Sequence, residues 1–184
     1  MPYVQLALGA SMSQTDENPY LQNLRLRTHW EKFPQSPHIA EVRSWHEDIR
    51  AHYGAILLSE ARLLVVKQDY PEAMRKLDMI LRWGSVLPVF EESLYTMVEV
   101  SGWFVMGLLN KSSLSDFRIN EFLGKPWNSP VTPEQREAMA QDVLKVARKY
   151  AEQMRQNLPN SPWTKKLKEW DWILSETDPV WNRG

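Results

Sequence analysis

The 184-residue chain has no cysteine. That excludes disulfides, thiolate zinc sites, iron–sulfur clusters and a cysteine nucleophile, and it leaves the compartment open. Glycine is scarce, at seven residues, and neither GxGxxG nor GxxxxGK[ST] occurs. The backbone cradles that hold dinucleotides and nucleotide phosphates are therefore missing. Neither sign of charge is in excess: 22 Lys and Arg face 23 Asp and Glu, for a net charge of −1. A balanced chain is a poor general nucleic-acid binder, because phosphate affinity is built from many Lys and Arg contacts. Long apolar runs are lacking too. The longest, residues 97–109, is interrupted by Glu99 and Ser101 and is shorter than the ~20 residues of a bilayer span. Residues 1–10 have no basic region and too short an apolar run for a signal peptide. They read as the end of a helix, so the chain is expected to be a piece of something longer.

Strand patterns are nearly absent, and helical periodicity replaces them. Ile39, Val42, Trp45, Ile49, Tyr53, Ile56, Leu57, Ala61, Leu64 and Val65 step by threes and fours along one face. This predicts one helix across residues 38–69, or two that meet near Gly54. Further helices are expected over residues 19–32 (with Leu21, Leu24 and Trp30 inward), 70–82 and 88–109. Another should start at the capping box Thr132–Gln135 and run to Leu158, and a last one should run from Pro162 through Trp170. Residues 110–131, rich in Ser, Pro, Gly and Asn, read as a long loop, either functional or a tolerated insertion. Hydrophobic residues make up 43% of the chain, enough for a real core. The expected fold is all-α.

Catalytic constellations fail one by one. His46-Glu47 opens like HExxH, but Arg50 stands where the second histidine should be. His52 is six residues from His46 and off its face by roughly 120°. With His29 and His38, these read as solvated or hydrogen-bonded helix histidines. Glu91-Glu92 points along two directions ~100° apart and reads as a helix N-terminal charge pair. No Glu-x-x-His pair or G-x-S-x-G elbow occurs. The expectation is a non-enzyme with no cofactor and no metal.

Phe33-Pro34-Gln35-Ser36-Pro37 recurs as Leu158-Pro159-Asn160-Ser161-Pro162. In each copy one Pro stops a helix, Ser caps the next, and the second Pro takes its first position. Between the copies, Gly54, Tyr70 and Ala73 fall at tetratricopeptide-repeat spacing. The fold class is therefore refined to a tetratricopeptide-like stack of antiparallel helical hairpins, a single domain over residues 1–184 with a tail at 171–184.

Four blocks in order carry a wider resemblance. They are Trp30-Glu31-Lys32-Phe33-Pro34-Gln35-Ser36-Pro37; residues 49–73 with Tyr53-Gly54, Ala61, Asp69-Tyr70 and Ala73; residues 91–99 closing on Gly107-Leu108; and residues 147–163 ending Asn157-Leu158-Pro159-Asn160-Ser161-Pro162-Trp163. Together they resemble the BamD (YfiO) family, tetratricopeptide scaffold lipoproteins of bacterial outer-membrane β-barrel assembly. The resemblance implies a periplasmic location on the outer membrane, with a cytoplasmic location as the alternative. It implies attachment only through a lipid anchor on a cysteine upstream of Met1. It also implies protein partners: unfolded outer-membrane protein segments at the N-terminal repeats, and a β-barrel assembly component at Lys165, Lys166, Lys168 and Glu169.

A groove between stacked hairpins suits an extended peptide. Its candidate contacts are Arg43, Glu47, Arg50, Tyr53 and Arg62, since Arg and aromatic side chains anchor such interfaces. The competing reading makes Tyr53 core and the arginines a solvated face. Of the nine tryptophans, Trp45, Trp83, Trp103, Trp163 and Trp170 fall on helix stripes or ends and read as core. Trp127, Trp172 and Trp181 fall in loop or tail context and are candidate contacts. The tail reads as a cap over the last repeat or as a docking edge. A function of another class stays open: a compact helical immunity or regulatory protein that occludes a toxin or enzyme.

Overall fold

The computed structural model describes residues 19–85, 88–110 and 114–175, with side chains from residue 25 onward. Among these residues all regular structure is helical: α1 (Pro19–Lys32), α2 (Ile39–Val66), α3 (Tyr70–Trp83), α4 (Phe90–Leu109), α5 (Asp116–Leu123), α6 (Pro133–Asn157), α7 (Pro162–Lys166), a 3-10 turn (Leu167–Trp170) and α8 (Asp171–Leu174). The chain forms two compact units, Met1–Ile56 and Leu57–Gly184. The expected inward positions of Leu21 and Leu24, the helix end at residues 1–10 and the candidate contact Trp181 lie outside the described residues.

In the first unit, α1 and the start of α2 are joined by the Pro-Gln-Ser-Pro turn. Ser36 Oγ accepts the His38 N–H at 3.3 Å, and the Ser36 N–H donates to the Phe33 carbonyl at 3.0 Å. The second copy of the motif repeats this geometry before α7: Ser161 Oγ accepts from Trp163 N at 3.2 Å, and Ser161 N donates to the Leu158 carbonyl at 3.1 Å. The echo in sequence is thus an echo in local hydrogen bonding. Leu26, Val42 and His46 are buried in this unit. α2 is one helix through Gly54.

In the second unit, α4 is the centre. It packs against α3 on one side, α6 on another, and the α7–3-10 segment, whose Trp163 meets Tyr95 and whose Trp170 meets Gly102 and Trp103. A helix covered this fully must be apolar nearly all round. The Ser and Thr hydroxyls it buries bond back to carbonyls four residues earlier: Ser93 to Val89, Thr96 to Glu92 and Ser101 to Met97, at 2.7, 2.8 and 2.7 Å. These three need no outside partner; the Tyr95 hydroxyl, also on α4, finds one in Glu169. Gly102 serves a different purpose: a Cβ at this position would collide with the six-membered ring of Trp170. The bare backbone lets that indole approach α4 closely, which docks the C-terminal turn.

Local caps act as read from the sequence. Thr132 Oγ1 accepts from Gln135 N at 3.3 Å while Gln135 Oε1 accepts from Thr132 N at 3.1 Å. A cap not read from the sequence starts α3, where Asp69 accepts from Glu72 N at 3.4 Å.

Several expectations need correction. Residues 110–131 are not a plain loop, because α5 occupies their middle. Ser115 caps it by accepting from Arg118 N at 3.4 Å, and Gly124, at φ 62°, ends it in the left-handed conformation. The Ser and Gly that suggested a loop are its terminators. The helix after Pro162 does not run through Trp170 in one form; it tightens into a 3-10 turn at Leu167 and resumes as α8. Among the tryptophans assigned to the core, Trp170 is buried, but Trp45, Trp83 and Trp163 are only half-buried, and Trp103 is 44% exposed. Trp103 meets the edge of Trp170, with ring centres 5.4 Å apart, so one side is covered and the other is in solvent. His46, read as a solvated or hydrogen-bonded helix histidine, is not solvated: it is buried against Trp30, with ring centres 4.5 Å apart.

Candidate functional site

Three surfaces carry the candidate residues. The first lies on α1 and α2 in the first unit. Arg43, exposed, sits 6.0 Å from the Trp30 ring centre. Glu47 is exposed, and Arg50 and Tyr53 are half-buried. Arg50 is more enclosed than a solvated groove contact: its Nε is buried with no hydrogen-bond partner. Burial lowers its proton affinity, Glu47 opposes this, and Arg27 adds to it. His46, pulled down to about 4 by burial and by the charges of Arg50 and Arg27, is a neutral imidazole at physiological pH. The spacing of His46 and Arg50 on one helix was visible in the sequence; that Arg27 and Trp30 face them across the unit was not.

The second surface, in the second unit, brings together three of the sequence candidates: Arg62 from α2, Lys166 from α7 and Glu169 from the 3-10 turn. Their charges meet at Glu99 of α4, a half-buried carboxyl that burial pushes above its ordinary value. Arg62 and Lys166 pull it back down, and Glu169 adds to the rise. Arg62 also pairs with Glu92. The Tyr95 hydroxyl donates to Glu169 at 3.3 Å, and the Ser161 hydroxyl donates to Glu91 at 2.6 Å. Lys166 Nζ lies 4.2 Å from the Trp163 ring centre and 5.9 Å from that of Tyr95. These contacts fasten the C-terminal turn to α4. Lys165 and Lys168 are exposed on the same short segment.

The third surface is the segment around α5, where only Trp127 had been singled out. Trp127 is 71% exposed, and Phe117 and Leu123 are also in solvent. The backbone that presents them is pinned. Asn120, fully buried, donates from Nδ2 to the carbonyls of Trp127 and Ser129 at 3.3 and 2.7 Å. Arg118 donates to the Lys67 carbonyl at 3.0 Å. Arg136, buried at the first turn of α6, donates to the carbonyls of Leu108 and Leu114 and pairs with Asp116. Trp172, on α8, is 47% exposed while its neighbours Ile173 and Leu174 are buried. Residues 171–174 thus bury Ile173 and Leu174 and leave the Trp172 indole largely in solvent.

Among the described residues no group of three His, Asp or Glu side chains is arranged to hold a metal ion, and no helix is long and apolar enough to cross a membrane. No family model, no curated protein and no solved structure matches the chain.

Proposed function

We propose that the chain is a non-enzymatic protein-binding scaffold and that the α5 segment, with Trp127 at its centre, is a main partner contact. The observation that carries this reading is an indole 71% exposed on a backbone whose Trp127 and Ser129 carbonyls are held by the buried Asn120. A large apolar side chain in water on a rigid support loses little entropy on binding, which is the profile of an interface anchor.

The finer reading is a tetratricopeptide-like stack acting in outer-membrane β-barrel assembly, as the four sequence blocks suggest. In its support, Ala61 and Ala73 are fully buried and Tyr70 is buried. Lys76 of α3 pairs with Glu60 of α2 at 2.7 Å, as expected of a helical hairpin. Co-purification from native membranes tests it. Recovery of a β-barrel assembly component, lost on Trp127→Ala, is the expected result. Recovery of cytosolic proteins alone would sink the envelope role, and retention of the partner by the Trp127→Ala chain would sink the assignment of the contact.

A further inference from the structure

We propose that the Arg27–His46–Arg50 cluster between α1 and α2 is a binding site for a single oxyanion, a carboxylate or phosphate group. The inference stands apart from the Trp127 contact, which lies in the other compact unit.

Four observations converge. Arg50 Nε is a buried donor with no acceptor, and buried donors in folded proteins are ordinarily satisfied by protein, water or ion. Arg27 and Arg50 are close enough for each to disfavour extra positive charge at His46, and Arg27 disfavours it at Arg50. The carboxylates beside the two arginines are partly committed: Glu31 accepts from Arg27 Nε at 2.9 Å, leaving Glu47 to act on Arg50. Trp30 walls the site with an apolar ring against His46, and Arg43 lies 6.0 Å from the centre of that ring. An apolar wall weakens screening and strengthens attraction for an anion.

An oxyanion here would accept the Arg50 Nε–H, offset the Arg27–Arg50 repulsion and reverse the field at His46. A bound anion must then raise the proton affinity of His46, and by reciprocity a protonated His46 must tighten the anion. The group can arrive on an acidic peptide side chain or as free phosphate.

The test uses the full chain. The His46 imidazole signal is titrated by NMR in sodium chloride, then at matched ionic strength with sodium phosphate, and separately with a blocked glutamate-containing peptide. The expected result is a His46 midpoint near 4 in chloride, raised by roughly one unit or more with the ligand, with His29, His38 and His52 unmoved. A rise with peptide alone assigns the site to acidic protein partners, and a rise with phosphate alone assigns it to the small ion. Should acid unfold the chain before His46 titrates, calorimetry at pH 6 reads the same site: binding of phosphate or peptide, weakened roughly tenfold or more by Arg50→Gln. No rise and no binding heat overturns the proposal. So does an equal shift of all four histidines, which would report screening rather than a site.

Discussion

Arg136 donates from both terminal guanidinium nitrogens to one acceptor, the Leu114 carbonyl, at 3.0 Å each. It also donates to the Leu108 carbonyl at 3.1 Å and pairs with Asp116. One buried side chain on α6 thereby closes the end of α4 and the entry to α5. The α5 platform depends on that closure.

Replacing Arg136 with Leu should therefore cost more than a core substitution of similar volume. Two carbonyls would lose their donor, and each buried unsatisfied group costs about 1–3 kcal/mol. A loss of about 3 kcal/mol by chemical denaturation is expected. Arg136→Lys should recover only part of it, because a single ammonium cannot reproduce the guanidinium fork. Full stability in the Leu variant would show that water replaces the guanidinium at no cost.

Gly102→Ala sets two effects against each other. Alanine favours a helix interior by about 1 kcal/mol over glycine, yet its Cβ would strike the Trp170 ring. Overpacking of this kind costs about 1–3 kcal/mol, and the clash should win. The variant should be less stable and should shift Trp170 fluorescence toward a solvated indole. In a Trp170→Leu background the same substitution should turn neutral or stabilising. A double-mutant cycle with no coupling between the two positions would contradict this packing.

What could be read from the sequence was local. Thr132 with Gln135, and Ser36 and Ser161 between prolines, each form their cap from atoms two or three residues away. The α5 helix was missed because it is two turns long and its ends, Ser115 and Gly124, are residue types shared by loops and caps. Its support comes from Arg136, which lies 20 residues from Asp116. The same limit explains the site residues. Arg62 reads as a groove contact and Lys166 and Glu169 as contacts implied by the resemblance, but their meeting at Glu99 depends on how the C-terminal turn docks through Trp170. Burial of His46 likewise depends on the ring of Trp30 arriving from another helix.

The pH dependence of stability should carry the mark of His46. In the folded chain it is pulled down to about 4 from its ordinary 6.5. Between these values the unfolded chain binds the extra proton, so stability rises with pH there. The contribution is complete above 6.5, falls as pH drops through this window, and is gone below about 4. Denaturation midpoints measured from pH 7 to pH 4 should decline, and His46→Phe, which keeps a ring against Trp30, should flatten that part of the curve. An unchanged slope in the variant would place the titrating group elsewhere.

Glu99 should act with the opposite sign. Burial raises its folded-state value above the ordinary carboxylate range, Glu169 adds to the rise, and Arg62 and Lys166 oppose it without cancelling it. As pH climbs from the unfolded value through the folded one, the unfolded chain sheds its proton first, and stability falls. Glu99→Gln keeps the shape of the neutral acid and never ionises. It should be more stable than the parent at pH 7, and the gap should close as pH drops below the ordinary carboxylate range. The comparison separates two roles for this carboxyl. If the glutamine chain is instead weaker at pH 7, the attraction of Glu99 for Arg62 and Lys166 outweighs its desolvation, and the cluster is a net ionic clasp on the C-terminal turn.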